Sequence, residues 1–199
     1  MQFAYMQLLL DAIRNVQGVN AGDVQFLSSK AARLELAAGE VYIREGSTSR
    51  KLAFIEKGII RTSTVKDNGD EVTMLLRWEG QFVASHDAII RQRPSRFTYS
   101  TLEPVSILEM DYGDLEKIMA EEPRFEPLRT FFLMKMLAES LELVETFVLY
   151  SPEERYRRLV REKPDIISRV PGKFIASMLG ITPVSLSRIR KRIVSRARH

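Results

Sequence analysis

The segment that most constrains this chain runs from Ile175 to Ile193, IASMLGITPVSLSRIRKRI. Two amphipathic stretches meet at Gly180-Ile181-Thr182, with Ala176 four residues before the glycine and Leu186 six after it. This spacing predicts a helix-turn-helix. Alanine at 176 permits close helix approach, and Gly180 supplies the left-handed residue that ends the first helix. Thr182 is then an N-cap and Pro183 the first helical residue, where its missing N–H costs nothing. Ile175, Leu179, Ile181, Leu186 and Ile189 are expected to close a small core between the helices. An ordinary helical hairpin has the same spacing, and charge separates the two readings.

Residues 153–199 carry 13 Lys+Arg and 4 Asp+Glu, a net of +9, whereas residues 1–152 carry a net of −5. No acidic residue follows Asp165, while Arg188, Arg190, Lys191, Arg192, Arg196 and Arg198 crowd the last stretch. A basic tail is often only a solvated face. Here it lies on and just beyond the second helix, where it would neutralise phosphates. Double-stranded DNA is the expected partner.

With 199 residues and 45% hydrophobic content, the chain can hold one good-sized domain and a smaller second one. No apolar run approaches the length of a membrane span. The opening MQFAYMQLLLDAIRNV lacks a basic leader and a small-residue cleavage site, so a cytoplasmic protein is expected. Phe3, Met6, Leu9, Leu10 and Ile13 have the spacing of a short packing helix. The absence of cysteine excludes disulfides, thiolate zinc sites and thiol redox sensing. His86 and His199 are the only histidines, too few for a histidine-built metal site or a haem pocket, and no cofactor is expected.

From Arg33 to Asp111 short β-rich runs alternate with turn signals: Arg33–Leu36, Val41–Arg44, Leu52–Glu56, Ile59–Lys66, Glu71–Arg77, Phe97–Leu102 and Val105–Met110. Asp67-Asn68-Gly69-Asp70 is a strong hairpin signal. Regular short strands of this kind predict a closed sandwich or jelly roll.

After Glu121-Glu122-Pro123 comes the longest helical pattern, Phe125 to Leu149. Met134, Leu137, Leu141, Val144 and Val148 are spaced 3, 4, 3, 4, the seam of a two-stranded coiled coil. A helix buried wholly in its own monomer is the other reading; the regular seam favours a homodimer. Ser151-Pro152-Glu153-Glu154 restarts the chain as a new helix with an N-cap and an N1 proline. The resulting division is 1–123 for an N-terminal β-roll, 124–150 for a dimerisation helix and 151–199 for a helix-turn-helix domain, an α+β architecture.

A roll containing LAAGEVYIREG and FIEKGIIRTSTVKDNGDEV, then a long helix and the ending LGITPVSLSRIRKRI, resembles the Crp/Fnr family of bacterial transcription regulators, in particular its short Bacteroidetes-type branch. The resemblance implies a homodimer whose recognition helices enter successive major grooves of a near-palindromic operator. It implies a sensor domain of cyclic-nucleotide-binding type, a small-molecule effector, and RNA polymerase as a further partner. Members that bind cyclic nucleotides carry a glutamate for the ribose and an arginine for the cyclic phosphate. Here those positions fall on Ser85 and Ser95, with Arg96 one residue off and so on the opposite face of a strand. A buried cyclic phosphate would be poorly neutralised, and cyclic AMP is not the expected effector. The expected pocket residues are Phe82, Ser85, Ser95, Arg96 and Phe97. The chain also ends too soon after the second helix for the family's usual C-terminal wing.

In the same resemblance Arg188 matches the arginine that reads base edges, and guanine is its natural bidentate partner. Ser185 and Ser187 can bond phosphate or base, and Val184 offers only apolar contact. Lys173, Thr182 and Arg190 are expected to contact the backbone, with Pro183, Lys191 and Arg192 on the same surface. A ligand-sensing or dimerisation module without sequence-specific DNA binding is the second reading. An enzyme is the third and weakest. The chain offers no histidine–carboxylate cluster, no nucleophile–base pair and no nucleotide-hydrolysing phosphate loop.

Overall fold

The computed structural model describes residues 2–13, 16 and 18–196, with the side chains of residues 2–5 and 196 excluded. The side chains of Phe3 and Arg196, and all of Arg198 and His199, lie outside the described residues. The chain divides into two compact units, Met1–Thr64 with Leu76–Met136, and Val65–Leu75 with Leu137–His199.

Eight strands form two four-stranded sheets. β1 (Ala32–Leu36), β8 (Val105–Asp111), β3 (Lys51–Lys57) and β6 (Phe82–Ala84) make the first, in the order β1-β8-β3-β6. β2 (Val41–Ile43), β7 (Thr98–Thr101), β4 (Ile60–Val65) and β5 (Glu71–Arg77) make the second, in the order β2-β7-β4-β5. Leu34 opposes Ile107 across β1 and β8, and Ala53 opposes Glu109 across β3 and β8. Between the sheets Ile43, Ala53, Ile55, Ile60, Val83, Tyr99, Val105 and Ile107 form one apolar core. The predicted hairpin closes through Gly69 N–H to the Lys66 carbonyl at 2.8 Å.

A strand was missing from the sequence reading. β6 is three residues long, too short for alternation to show, and it pairs Leu52 with Ala84 and Phe54 with Phe82. Alternation along it sends Val83 into the sandwich and Phe82 to the outer face of the sheet. There a second core gathers Ile13, Val24, Leu115, Met119, Phe125 and Leu128. It is built by α1 (Gln2–Ile13), α2 (Ala21–Lys30), α4 (Tyr112–Glu121) and the start of α5 (Glu126–Leu149), with α3 (His86–Ile89) a single turn after β6. α2 starts on a capping box: Asn20 Oδ1 accepts from Asp23 N–H at 3.1 Å, and Asp23 returns the bond at 2.9 Å.

α5 has 24 residues and so extends about 36 Å. The second unit holds its later turns, then α6 (Pro152–Glu162), α7 (Ile166–Arg169), α8 (Gly172–Met178) and α9 (Pro183–Arg196). Tyr156, Leu159, Ile166, Val170, Ile175, Ala176, Leu179, Leu186 and Ile189 are all buried. Ile181, expected in that core, is half-buried at the turn. Among the described residues no helix is long and apolar enough to cross a membrane.

Candidate nucleic-acid interface and effector region

The α8–α9 turn follows from its residues. Gly180 stands at φ +68°; its N–H donates to the Ser177 carbonyl and that of Ile181 to the Ala176 carbonyl, both at 3.0 Å. These bonds satisfy the last carbonyls of α8. Thr182 Oγ1 accepts from Ser185 N–H at 3.1 Å and donates to the Ser185 hydroxyl at 3.0 Å, so Ser185 is half-buried and occupied. α6 opens on the Ser151–Glu154 capping box, which holds the Glu154 carboxyl below the usual glutamate range through the Ser151 hydroxyl and N–H.

Thr182, Pro183, Val184, Ser187, Arg188, Lys191 and Arg192 are exposed along α9, and Lys173 on α8 is exposed with its amine 4.9 Å from the Phe174 ring centroid. Ser185, Arg188 and Arg192 line one wall of a groove of about 690 Å3, whose other wall is Ser151 to Glu154. Two of the basic candidates are engaged by their own chain. Arg192 pairs with Glu153 at 3.1 Å, and Glu153 also binds Arg157 at 3.0 Å. Arg190 is half-buried over the Tyr156 ring at 5.6 Å, with Nε and Nη2 lacking a hydrogen-bond partner among the described residues. Its side chain packs as well as charges the helix.

Sequence reasoning missed Arg155. This arginine is buried, donates Nη1 to the Tyr150 carbonyl and Nη2 to the Leu179 carbonyl, both at 2.9 Å, and lies 4.7 Å from the Phe147 ring centroid. It therefore ties the end of α5 to the α8–α9 turn. The available signal was an arginine four residues before Leu159, on the apolar stripe of α6.

On α5 the seam residues Met134, Leu137, Leu141, Val144 and Val148 are 53–74% exposed in the single chain. Leu133, Phe147 and Leu149 widen that surface. The row is apolar and uncovered.

In the first unit four of the five pocket candidates share a neighbourhood. Ser85 is buried and caps α3 through Ala88 N–H at 3.4 Å. Ser95 is buried, donates to the Phe97 carbonyl at 2.8 Å and accepts from the Phe97 N–H at 3.2 Å. Phe97 packs half-buried against the sandwich core. Arg96 forks onto Asp87 at 3.0 and 3.1 Å, and Arg91 approaches the same carboxylate at 3.5 Å. The Arg96 hydrogen bond holds the Asp87 carboxyl below the usual aspartate range, against the opposing push of burial. Burial raises the nearby Tyr99 phenol to about 12. Phe82 does not join this group. Strand alternation turns it outward, where its ring meets Phe54 at 5.1 Å and Phe132 at 4.7 Å.

The comparisons agree with this roll. Residues 33–122 match the cyclic nucleotide-binding domain family. No curated protein matches the chain. Among solved structures, the c-di-GMP-responsive global regulator CLP of Xanthomonas campestris is 16% identical with a TM-score of 0.65, covering 89% of this chain and 93% of its own. FixK2 of Bradyrhizobium japonicum is 14% identical with a TM-score of 0.68, covering 84% and 86%. The catabolite activator protein of Thermus thermophilus is 16% identical with a TM-score of 0.54, covering 91% and 86%. At such identities the likeness is one of fold.

Proposed function

We propose that this chain is a homodimeric DNA-binding transcription regulator of Crp/Fnr type, whose effector is unknown and is not cyclic AMP. The observation that carries this is α9: an exposed basic face, set on a glycine turn and backed by a closed apolar core. The uncovered seam of α5 supports dimerisation, which would deliver two such helices to half-sites about 34 Å apart. Fold likeness to CLP, FixK2 and the catabolite activator supports the family.

Arg188 is assigned to base reading, and Lys191 and Arg192 to phosphates. Arg188→Ala should then cost about 1–3 kcal/mol and relax preference at one base position, whereas Arg192→Ala should weaken binding to all sequences alike. Selection from random oligonucleotides tests the reading. Enrichment of an inverted repeat supports it. Failure to enrich one overturns it in favour of a ligand-sensing module.

The expectation about cyclic AMP rests on Ser85 and Ser95, whose hydroxyls cannot replace two charged contacts, and on Arg96, which is committed to Asp87. Losing such contacts weakens affinity roughly a hundredfold. Micromolar binding of cyclic AMP or cyclic GMP in a calorimeter, coupled to tighter operator binding, would refute it.

A further inference from the structure

We infer that Val184 is a specificity-determining residue of the DNA interface, reading the 5-methyl group of a thymine. This role rests on the regulator reading and names a group that the interface recognises. Val184 is the second residue of α9 and is 61% exposed. It shares its side of the helix with Ser187, Arg188 and Lys191, all exposed, while Leu186 and Ile189 are buried on the other side.

In a helix-turn-helix the N-terminal residues of the second helix are those that reach base edges. The first turn of α9 has little polar chemistry to offer there. Thr182 and Ser185 are bonded to each other, Thr182 Oγ1 accepting from the Ser185 N–H and donating to its hydroxyl. Pro183 and Val184 are the exposed helical residues of that turn. Of the groups that base pairs display in the major groove, the thymine C5-methyl is the apolar one. Against any other edge the valine would strip water from a donor or acceptor and return no hydrogen bond. An apolar side chain at this position therefore selects a 5-methylpyrimidine.

Charge makes the occupant nucleic acid rather than protein. Lys173, Arg188 and Lys191 are exposed on the same helix pair, and no acidic residue follows Asp165. Val194, also exposed, lies about 15 Å further along the axis, with Arg188 and Lys191 between the two valines. The face is thus a basic surface with an isolated apolar contact, unlike the continuous seam of α5. Val184 and Arg188 are about 6 Å apart along the helix, so the thymine should stand about one or two base-pair steps from the guanine assigned to Arg188.

The full chain first selects its operator from random oligonucleotides, and the selected site is then remade with single changes at that thymine. Uracil there removes only the methyl group. It should weaken binding about fourfold for each half-site changed, the loss of one buried methyl contact. 5-Methylcytosine should bind about fourfold more tightly than cytosine at the same position. Val184 is exposed, so Val184→Ala keeps the fold, and both ratios should drop below about twofold in it, whereas Val184→Ile should retain them. Four results overturn the assignment alone: no thymine within reach of the guanine, equal binding of uracil and thymine, ratios unchanged in Val184→Ala, or unchanged affinity of that variant for every sequence, as a protein contact at Val184 would give. A selection that enriches no inverted repeat overturns the regulator reading and this assignment with it, so the two failures are told apart.

Discussion

Gly180→Ala should destabilise the α8–α9 pair far more than the same change at another left-handed glycine. Gly180 sits at φ +68°, and a methyl group there would come within 3.1 Å of Phe147 Cε1. Gly69, at φ +85° in the β4–β5 turn, has nothing within 4 Å of that position. The left-handed conformation costs alanine about 1–2 kcal/mol, offset by about 0.4–1 kcal/mol from its stiffer unfolded chain. That leaves ~1 kcal/mol at both sites. At position 180 the ring must also give by a few tenths of an ångström. Phe147 carries Arg155 on one face, and that guanidinium is anchored at both ends, so the half-exposed ring is held on that side. Such overpacking adds roughly 1 kcal/mol. A total of ~2 kcal/mol corresponds to about a 30-fold larger opening constant. Native-state hydrogen exchange reads it directly. The amides of Ile181 and Leu186 should exchange about 30-fold faster in Gly180→Ala, and that of Lys66 about 5-fold faster in Gly69→Ala. Equal accelerations at the two turns would refute the reasoning, because the Phe147 contact would then contribute nothing.

The seam predicts that Leu137→Asp with Leu141→Asp yields a folded monomer. Both leucines are more than half exposed in the single chain, so the protomer loses little while the dimer contact gains unpaired charge. Sedimentation of a dimer by the double variant would exclude the seam. Glu153→Gln should release Arg192 and tighten binding to all DNA sequences alike without changing the slope of its salt dependence, and an unchanged affinity would exclude competition between Glu153 and a phosphate for Arg192. The Asp87–Arg96 pair makes stability pH-dependent. Because the folded carboxyl titrates below its unfolded value, the contribution is complete above about pH 3.9 and is lost as pH falls through the depressed folded value. Urea midpoints between pH 6 and pH 2 should therefore fall more steeply for the wild type than for Asp87→Asn, and parallel curves would exclude the pair as the cause.

What could be read in the sequence was governed by local chemistry. Gly180, Thr182 and Pro183 define a turn through backbone preferences alone, and Ser151 with Glu154 forms its cap within four residues. The hairpin at Gly69 and the leucine spacing of α5 are legible for the same reason. The face of Phe82 was not, because it depends on β6, which is recognisable only from its pairing with β3. Arg96 was read as one residue off the arginine position and on the opposite face of a strand; it lies instead in the bend before β7, and its partner Asp87 is nine residues away across a turn. Arg155 stands on the apolar stripe of α6, but no local pattern specifies what it binds. Its acceptors are the Tyr150 and Leu179 carbonyls, brought together only when α6 packs beside the α8–α9 turn.

Long cations therefore differ in what remains available to a ligand, and this bears on which of them matter for DNA. Arg190 is half-buried and supports Tyr156; Arg155 is consumed in the fold. For Arg192 a phosphate would replace Glu153, an exchange of one anion for another whose net gain is small. Arg188 is exposed on α9, and among the described residues it has no ion pair to give up. On the proposed reading its contact with a base is gained without breaking another. The affinity lost in Arg188→Ala should accordingly exceed that lost in Arg192→Ala, although both residues carry the same charge on the same helix. A ranking by charge alone would make them equal, and the Glu153 pair is what separates them.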